Sequence, residues 1–146
     1  MIIEESIMVH APVKKAWDVF VNLTCWADWN RVLTDISANQ MCLTGGSGFR
    51  CCMRPYFFTV YFEPKVSEVV PYKKIVWTAG KFGISSVHEF IFEERPEGVE
   101  IISRERFRGL PVLLGAMFFL QGKIRELTVS FLDGLRQGAE ADEVKS

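Results

Sequence analysis

Metal-binding and secretory features are the clearest absences from this sequence. It has two histidines and four cysteines, and no two cysteines have the CxxC spacing of zinc sites. The neighbours Cys51 and Cys52 would point to opposite faces of a strand, so they do not form a metal site together. We therefore expect no metal and no cofactor. Glu4 and Glu5 stand where a secretory signal would carry positive charge, which predicts a cytoplasmic protein with reduced thiols.

Charge of one sign and long hydrophobic runs are also lacking. The net charge is −1, and lysine and arginine are spread along the chain, so nothing favours nucleic-acid binding. The longest apolar run, residues 110–120, is far shorter than the roughly 20 residues that a membrane-spanning helix needs. With 146 residues, of which 49% are apolar, the chain is predicted to form one globular domain over residues 1–146. Its polar end, residues 139–146, is expected to fray.

Hydrophobic periodicity predicts an α+β domain. A first strand covers residues 2–9, and helical spacing then covers residues 13–23 and 24–30. Six further strands are predicted at residues 34–43, 48–54, 57–70, 73–79, 84–94 and 99–108, and Pro64 should either interrupt the third of these or mark it as an edge strand. Because the connections are short, the sheet of about seven strands should be antiparallel.

The C-terminal segment predicts one long helix. From Leu113 to Leu135, apolar residues recur at steps of three and four, which places them on one face. A single long helix beside a sheet favours a curved sheet that wraps around the helix and leaves a cavity between them. The inward faces of both elements then supply the candidate ligand-binding residues. These are Phe49, Cys51, Met53, Phe58, Val60, Phe62, Trp77, His88, Phe90, Ser103, Glu105, Leu113, Met117, Leu120 and Ile124. Any single apolar residue among them could instead simply fill the core, where a large apolar side chain contributes roughly 1.5–3 kcal/mol, whereas the set as a whole favours a cavity.

His88 and Glu105 form the most informative polar pair. Strand parity places both on the inner face of a hairpin. If its loop is residues 95–98, His88 lies directly opposite Glu105; if the loop is residues 97–98, the two are diagonal. A carboxylate beside an imidazole would raise the histidine pKa and could transfer protons, or the two groups could form an ordinary structural ion pair. We therefore treat His88 and Glu105 as candidates and assign no catalytic residue.

The run from Leu110 to Leu120 is apolar on nearly every side, and Gly115 lies within it. Such a surface usually has a partner. It could cover the mouth of the cavity, form a homodimer contact, or touch a membrane surface transiently.

Four stretches resemble the START-like (SRPBCC) helix-grip superfamily, in its polyketide cyclase/dehydrase and lipid-transport branch. Residues 11–30 read APVKKAWDVFVNLTCWADWN, and residues 45–50 read GGSGFR. Residues 66–77 read VSEVVPYKKIVW, and residues 88–109 read HEFIFEERPEGVEIISRERFRG. Together they follow the order of the superfamily's two short helices, glycine turn, tryptophan strand and final hairpin. The resemblance implies the helix-grip fold over nearly the whole chain.

The superfamily includes lipid carriers, receptors for hydrophobic hormones, quinone-binding proteins and aromatase/cyclases, and it has no universal catalytic residue. Its members therefore imply two functions for this chain. The first is a carrier or sensor of a hydrophobic small molecule, such as a lipid, polyketide or quinone-like compound. The alternative is a cyclase/dehydrase-type enzyme that would use His88 and Glu105 for proton transfer. Fold alone does not decide between them.

Overall fold

The structure is a computed structural model that describes residues 1–141. The strands in this part of the chain are β1 (Ile2–Val9), β2 (Thr34–Ser37), β3 (Arg50–Met53), β4 (Val60–Phe62), β5 (Lys65–Val70), β6 (Lys74–Lys81), β7 (Ile84–Arg95) and β8 (Gly98–Gly109). The helices are α1 (Val13–Val21), α2 (Trp26–Trp29) and α3 (Pro111–Glu140), and Leu23–Cys25 forms a short 3-10 turn. Within the described residues, no helix is both long enough and apolar enough to cross a bilayer.

The strands form two antiparallel sheets. The larger has the order β1-β8-β7-β6-β5, and the smaller has the order β2-β3-β4. An isolated bridge between Gly48 and Lys65 connects them. Helix α3 packs against β1, β8 and the two short helices, so the sheet curves around it. The predicted helix-grip architecture is confirmed.

The strand count differs from the prediction because proline divides one strand. Pro64 breaks the predicted strand of residues 57–70 into β4 and β5, since it has no amide hydrogen for the ladder. Phe57 and Phe58 lie in the loop before β4 rather than in a strand. The predicted strand at residues 34–43 ends at Ser37. Within this short strand, Asp35 has a φ of 53° and the β2–β3 register shifts.

The C-terminal helix is longer than predicted. It runs to Glu140, and Ala139 is fully buried, so residues 139 and 140 belong to the helix and not to a frayed tail. The rest of the predicted tail, residues 142–146, lies outside the described residues.

Aromatic side chains fill the half of the interior nearest the short helices. Phe20 of α1 contacts several other rings, among them Trp77 at 5.9 Å, Phe90 at 4.8 Å and Phe131 at 6.3 Å between centroids. The ring of Trp26 of α2 lies 5.7 Å from that of Phe131 between centroids. Its indole N–H donates a hydrogen bond to the carbonyl oxygen of Phe20 at 2.8 Å. Such aromatic pairs contribute about 0.5–1.5 kcal/mol each beyond their buried area. This cluster fixes the position of α3 against the sheet.

Candidate functional site

A cavity of about 390 Å³ lies between the sheets and α3. Its inner end is the aromatic cluster, since Trp77, Phe90 and Phe131 belong both to the packed core and to the cavity wall. The aromatic side chains therefore fill only part of the space that the curved sheet encloses. The remaining volume falls within the usual range of small-molecule sites.

Most of the predicted ligand-binding residues lie on the cavity wall. The strands and their loops contribute Met53, Phe58, Val60, Phe62, Trp77, His88, Phe90 and Glu105. Helix α3 contributes Leu113, Met117, Leu120 and Ile124. Phe58 lies on the wall although its segment is a loop, and it remains 39% exposed. The structure thus brings these twelve side chains together around one space.

Three of the predicted residues do not line the cavity. Phe49 packs edge-on against Trp26 and Trp77 at 5.4 Å and 5.3 Å, so it belongs to the core cluster. Cys51 is fully buried, and burial raises the pKa of its thiol far above the usual range, which keeps it protonated and unreactive. Ser103 is also fully buried and contacts His88 instead of the cavity.

Several wall residues were absent from the predicted set. Two of them, Leu127 and Phe131, lie on the same helical stripe as Ile124, and Phe107 shares strand parity with Glu105. Extending either pattern by one or two steps would have found them. Val32 and Leu33 follow α2, and the Asn30 side-chain oxygen accepts hydrogen bonds from both of their amides at 3.0 Å. No periodic pattern marks that turn.

His88 and Glu105 are directly opposed, as the longer of the two loop alternatives predicts. The His88 Nδ1 atom lies 3.6 Å from a Glu105 carboxyl oxygen, which is within ion-pair range but longer than a hydrogen bond. On the other side of the ring, Nε2 lies 2.7 Å from the Ser103 hydroxyl. The ring stacks on Phe90 at a centroid distance of 4.1 Å. These contacts fix the imidazole plane, and the Glu105 carboxyl group lines the cavity beside it.

Ser103, His88 and Glu105 lie in the order of a hydrolase triad, but the geometry does not support that chemistry. A triad serine must reach a substrate carbonyl with its hydroxyl. Ser103 has no exposed surface and lies behind the histidine as seen from the cavity. It orients His88, and the groups that face the cavity are His88 and Glu105.

The apolar surroundings favour the neutral forms of both groups. The His88 and Glu105 side chains are only 13% and 17% exposed. Burial lowers the pKa of His88 to about 3. Burial also raises the pKa of Glu105 to about 7, although a hydrogen bond with Ser86 opposes the rise. The expected rise of the histidine pKa is therefore wrong, because desolvation outweighs the attraction of the neighbouring carboxyl group.

Stability should consequently depend on the protonation of Glu105. Between its unfolded pKa of 4.5 and its folded pKa of about 7, the folded state holds a proton that the unfolded chain has lost. The contribution of Glu105 to the free energy of unfolding is thus present below pH 4.5 and is lost as the pH rises towards 7, by up to about 1.4 kcal/mol per pH unit. His88 acts oppositely, because the stability of its neutral folded form is lost as the pH falls from 6.5 towards 3.

Urea unfolding from about pH 5 to about pH 8 separates the two effects. Glu105→Gln keeps the shape and removes the titration. The difference in unfolding free energy between the wild type and this variant should fall with rising pH and level off above about pH 7. A difference independent of pH would contradict the burial of the carboxyl group.

The mouth of the cavity lies between three segments. The loop before β4 contributes Pro55 and Phe58, the β6–β7 turn contributes Phe82, and α3 contributes Leu113 and Ala116. Gly83 has a φ of 79°, and a Cβ there would lie 2.9 Å from the Leu113 side chain. The turn and the first turn of α3 therefore touch at one side of the mouth.

This fold and cavity define a helix-grip protein with an apolar internal site. The sequence matches the model of the family described as "Polyketide cyclase / dehydrase and lipid transport" over residues 1–140, and the chain belongs to that family. No curated protein shows significant sequence similarity to it.

Solved structures with the same fold include two proteins named as aromatase/cyclases and one protein without a stated activity. The Zhui aromatase/cyclase from Streptomyces sp. R1128 has a TM-score of 0.79 at 13% identity, covering 96% of this chain and 93% of that one. The protein TTHA0849 from Thermus thermophilus has a TM-score of 0.80 at 12% identity, covering 95% and 97%. The di-domain ARO/CYC BexL, from the BE-7585A biosynthetic pathway, has a TM-score of 0.79 at 17% identity, covering 97% of this chain and 50% of that one. The TM-scores establish a shared fold, and identities this low show nothing beyond the fold.

Proposed function

We propose that this protein binds a hydrophobic small molecule in the cavity between the sheets and α3, as a carrier or sensor. The observation that carries the proposal is the apolar composition of the cavity wall. The wall is built almost entirely from aliphatic and aromatic side chains. Its few polar residues are Lys81, Ser85, Ser86, His88, Glu105 and Thr128, and four of these come from the neighbouring strands β7 and β8. Apolar ligands bind to such walls because water leaves both surfaces.

The position of the polar groups specifies the ligand further. Glu105 holds its proton up to about pH 7, so in its neutral form it is a hydrogen-bond donor inside an apolar space. A carbonyl or hydroxyl oxygen on the ligand would accept that hydrogen bond. The ligand class is thus an apolar body with one oxygen-bearing polar group, as in lipids, polyketides and quinone-like compounds.

Titration with Nile red, a neutral dye whose fluorescence responds to apolar surroundings, tests this function. The folded protein should bind the dye saturably at one site, and long-chain alcohols or ketones should displace it. Glu105→Gln keeps a hydrogen-bond donor and should preserve ketone binding, whereas Glu105→Ala removes the donor and should weaken it. A folded protein that shows no saturable binding of dye or competitor would overturn the proposal.

A cyclase/dehydrase-type activity is the second candidate, and the contact between His88 and Glu105 favours it. A carboxyl group with a pKa of about 7 can both accept and donate a proton near neutral pH, and the neutral His88 imidazole lies beside it. The ionised Glu105 carboxylate would take a proton from a methylene group between two carbonyls. The resulting enolate would attack a second carbonyl to form a C–C bond, and the new alkoxide would take the proton back from Glu105. The ring closure changes no oxidation state overall, and later loss of water completes a dehydration.

Turnover of a poly-β-ketone thioester would reveal this activity. Glu105→Gln should lower kcat by a factor of about 10² to 10⁴, the usual contribution of a general acid–base group. Glu94→Gln, at an exposed position on the same hairpin, is the matched control and should leave kcat unchanged. If Glu105→Gln turns over as fast as the wild type, the pair is structural and only ligand binding remains.

A further inference from the structure

We propose that the rim of the cavity docks onto an anionic lipid bilayer, with the mouth facing the membrane. We call this rim the mouth surface and define it by Phe57, Phe82, Val112, Phe118 and Phe119. These side chains are largely exposed, reaching 99% for Phe57, 89% for Phe119 and 75% for Phe82. They come from three separate segments of the chain, and all three segments also contribute to the cavity wall. This proposal depends on the proposed function in one respect only, namely that the ligand enters the cavity through this mouth.

The outward side of α3 at the mouth is uncharged. On a helix whose Leu113, Met117 and Leu120 face the cavity, Val112 and Phe119 point the opposite way. Gly115 and Gly122 share that outward side, and a Cβ on either would meet nothing within 4 Å. The start of α3 is therefore apolar both towards the cavity and towards solvent. A helix of this composition is suited to lie in the plane of a bilayer interface.

The charges around the mouth identify the kind of membrane. Residues 50–62, 78–88 and 106–123, which form the rim and the strands leading to it, contain no aspartate or glutamate. They contain six cationic residues, although the whole chain has a net charge of −1: Arg50, Arg54, Lys81, Arg106, Arg108 and Lys123. Lysines and arginines next to inserted apolar groups attract the anionic headgroups of a bilayer.

Neighbouring carboxylates offset this charge only in part. Asp35 lies 3.6 Å from Arg54, and Glu126 lies 3.2 Å from Lys123. Glu63 shares a shallow surface pocket with Lys81. Three carboxylates beside six cations leave a net positive charge on the three segments around the mouth surface.

Two rim cations also contact the aromatic side chains there. Lys81 lies 5.3 Å from the ring of Phe82, and Lys123 lies 5.6 Å from the ring of Tyr56. Each amine therefore sits beside an exposed ring. Aromatic rings next to cations are the pairing found where proteins meet the headgroup region.

The same charges argue against a second copy of this chain as the occupant. A symmetric dimer through the mouth surface would bring two identical clusters of cations together, and like charges in contact are unfavourable. It would also cover the entrance of both cavities. An anionic bilayer instead supplies the opposite charge and a hydrocarbon phase from which an apolar ligand can enter directly.

Vesicle co-sedimentation tests the apolar part of the proposal. The wild type should bind vesicles of phosphatidylcholine with one third phosphatidylglycerol and should bind pure phosphatidylcholine weakly. Phe57→Ser with Phe119→Ser should weaken partitioning roughly tenfold or more, because both rings leave the bilayer. Ile2→Ser with Val129→Ser, which removes exposed apolar side chains elsewhere, should bind like the wild type. Neither pair lines the cavity, so Nile red binding should be unchanged in both variants.

Charge reversal tests the electrostatic part. Lys81→Glu with Arg108→Glu should abolish binding to the anionic vesicles, whereas Lys14→Glu with Lys73→Glu, at exposed positions outside the mouth surface, should leave it unchanged. Raising the salt from about 0.1 M to about 1 M shortens the screening length from about 10 Å to about 3 Å and should weaken wild-type binding.

Three outcomes would overturn the docking. The first is absence of vesicle binding, and the second is equal binding to neutral and anionic vesicles. The third is self-association that the phenylalanine variant abolishes, without vesicle binding, which would assign the surface to a second copy. None of these outcomes bears on Nile red binding, which tests the cavity separately.

Discussion

Replacing Ala79 with tryptophan is expected to abolish ligand binding while the protein remains folded. Ala79 lies on β6, two residues after Trp77, and its small side chain faces the cavity. An indole at that position would occupy much of the 390 Å³ that a ligand needs. Because the space is already empty, the larger side chain needs little repacking of neighbours. Affinity for Nile red should fall on the order of a hundredfold or more, since each tenfold loss corresponds to about 1.4 kcal/mol.

Thr78→Trp is the matched control for this experiment. Thr78 is the preceding residue on the same strand, and it is exposed on the opposite face. The control adds the same indole to the same strand without entering the cavity, so the dye should bind as it does to the wild type. If Ala79→Trp is folded and still binds the dye with unchanged affinity, the dye binds elsewhere and the cavity is not the site.

Replacing Gly134 with alanine is expected to destabilise the protein strongly. Gly134 lies on α3 where the helix crosses the carbonyl group of Trp29, and a Cβ there would overlap that carbonyl oxygen. Gly138, one turn later, would place a Cβ only 3.1 Å from the Trp29 side chain. The two glycines thus let α3 approach α2 closely enough to bury Trp29 against Phe131. Urea unfolding should show a loss of roughly 1–3 kcal/mol or more, the cost of forcing extra atoms into a packed core.

Replacing Gly115 with alanine should have the opposite effect and raise the free energy of unfolding. Gly115 is on the same helix, but open space surrounds the position of its missing Cβ. Alanine there should stabilise the helix by up to about 1 kcal/mol, because glycine is the poorer helix former. Equal losses at Gly115 and Gly134 would show that helix propensity, and not the contact with Trp29, sets the effect.

Sequence periodicity predicted the faces of the elements well and their extents less well. Two-residue alternation placed His88, Phe90 and Glu105 on the inner face, and the helical stripe placed Met117 and Ile124 towards the sheet. The extents depend on local backbone features and tertiary contacts that alternation does not encode. The second strand contains a positive φ and ends six residues before its predicted end, and packing against the first strand and first helix carries α3 beyond the predicted start of its tail.

Sequence could not divide the inward residues between core and cavity. Phe49 and Phe62 have the same polarity and similar strand positions, yet Phe49 packs into the aromatic cluster and Phe62 lines the cavity. What separates them is distance from the short helices, because Phe20 and Trp26 fill the interior only at that end. That distance follows from the curvature of the sheet, which the order of residues does not specify.

The positive charge around the mouth surface could not be predicted from the sequence either. Lysines and arginines are spread along the chain, and no run of them marks a surface. The fold brings three segments without carboxylates to the same end of the cavity. A property that depends on segments far apart in sequence becomes visible only once their places in the fold are known.

Native mass spectrometry of the protein purified gently from its own host is the most direct test of the central claim, that the cavity is a ligand site. The proposed function predicts an additional mass of one small hydrophobic compound, which is lost on denaturation and is absent from Ala79→Trp purified in the same way. A wild-type protein that carries only its bare chain mass, and that acquires no adduct when incubated with a lipid extract of the host, would contradict the claim.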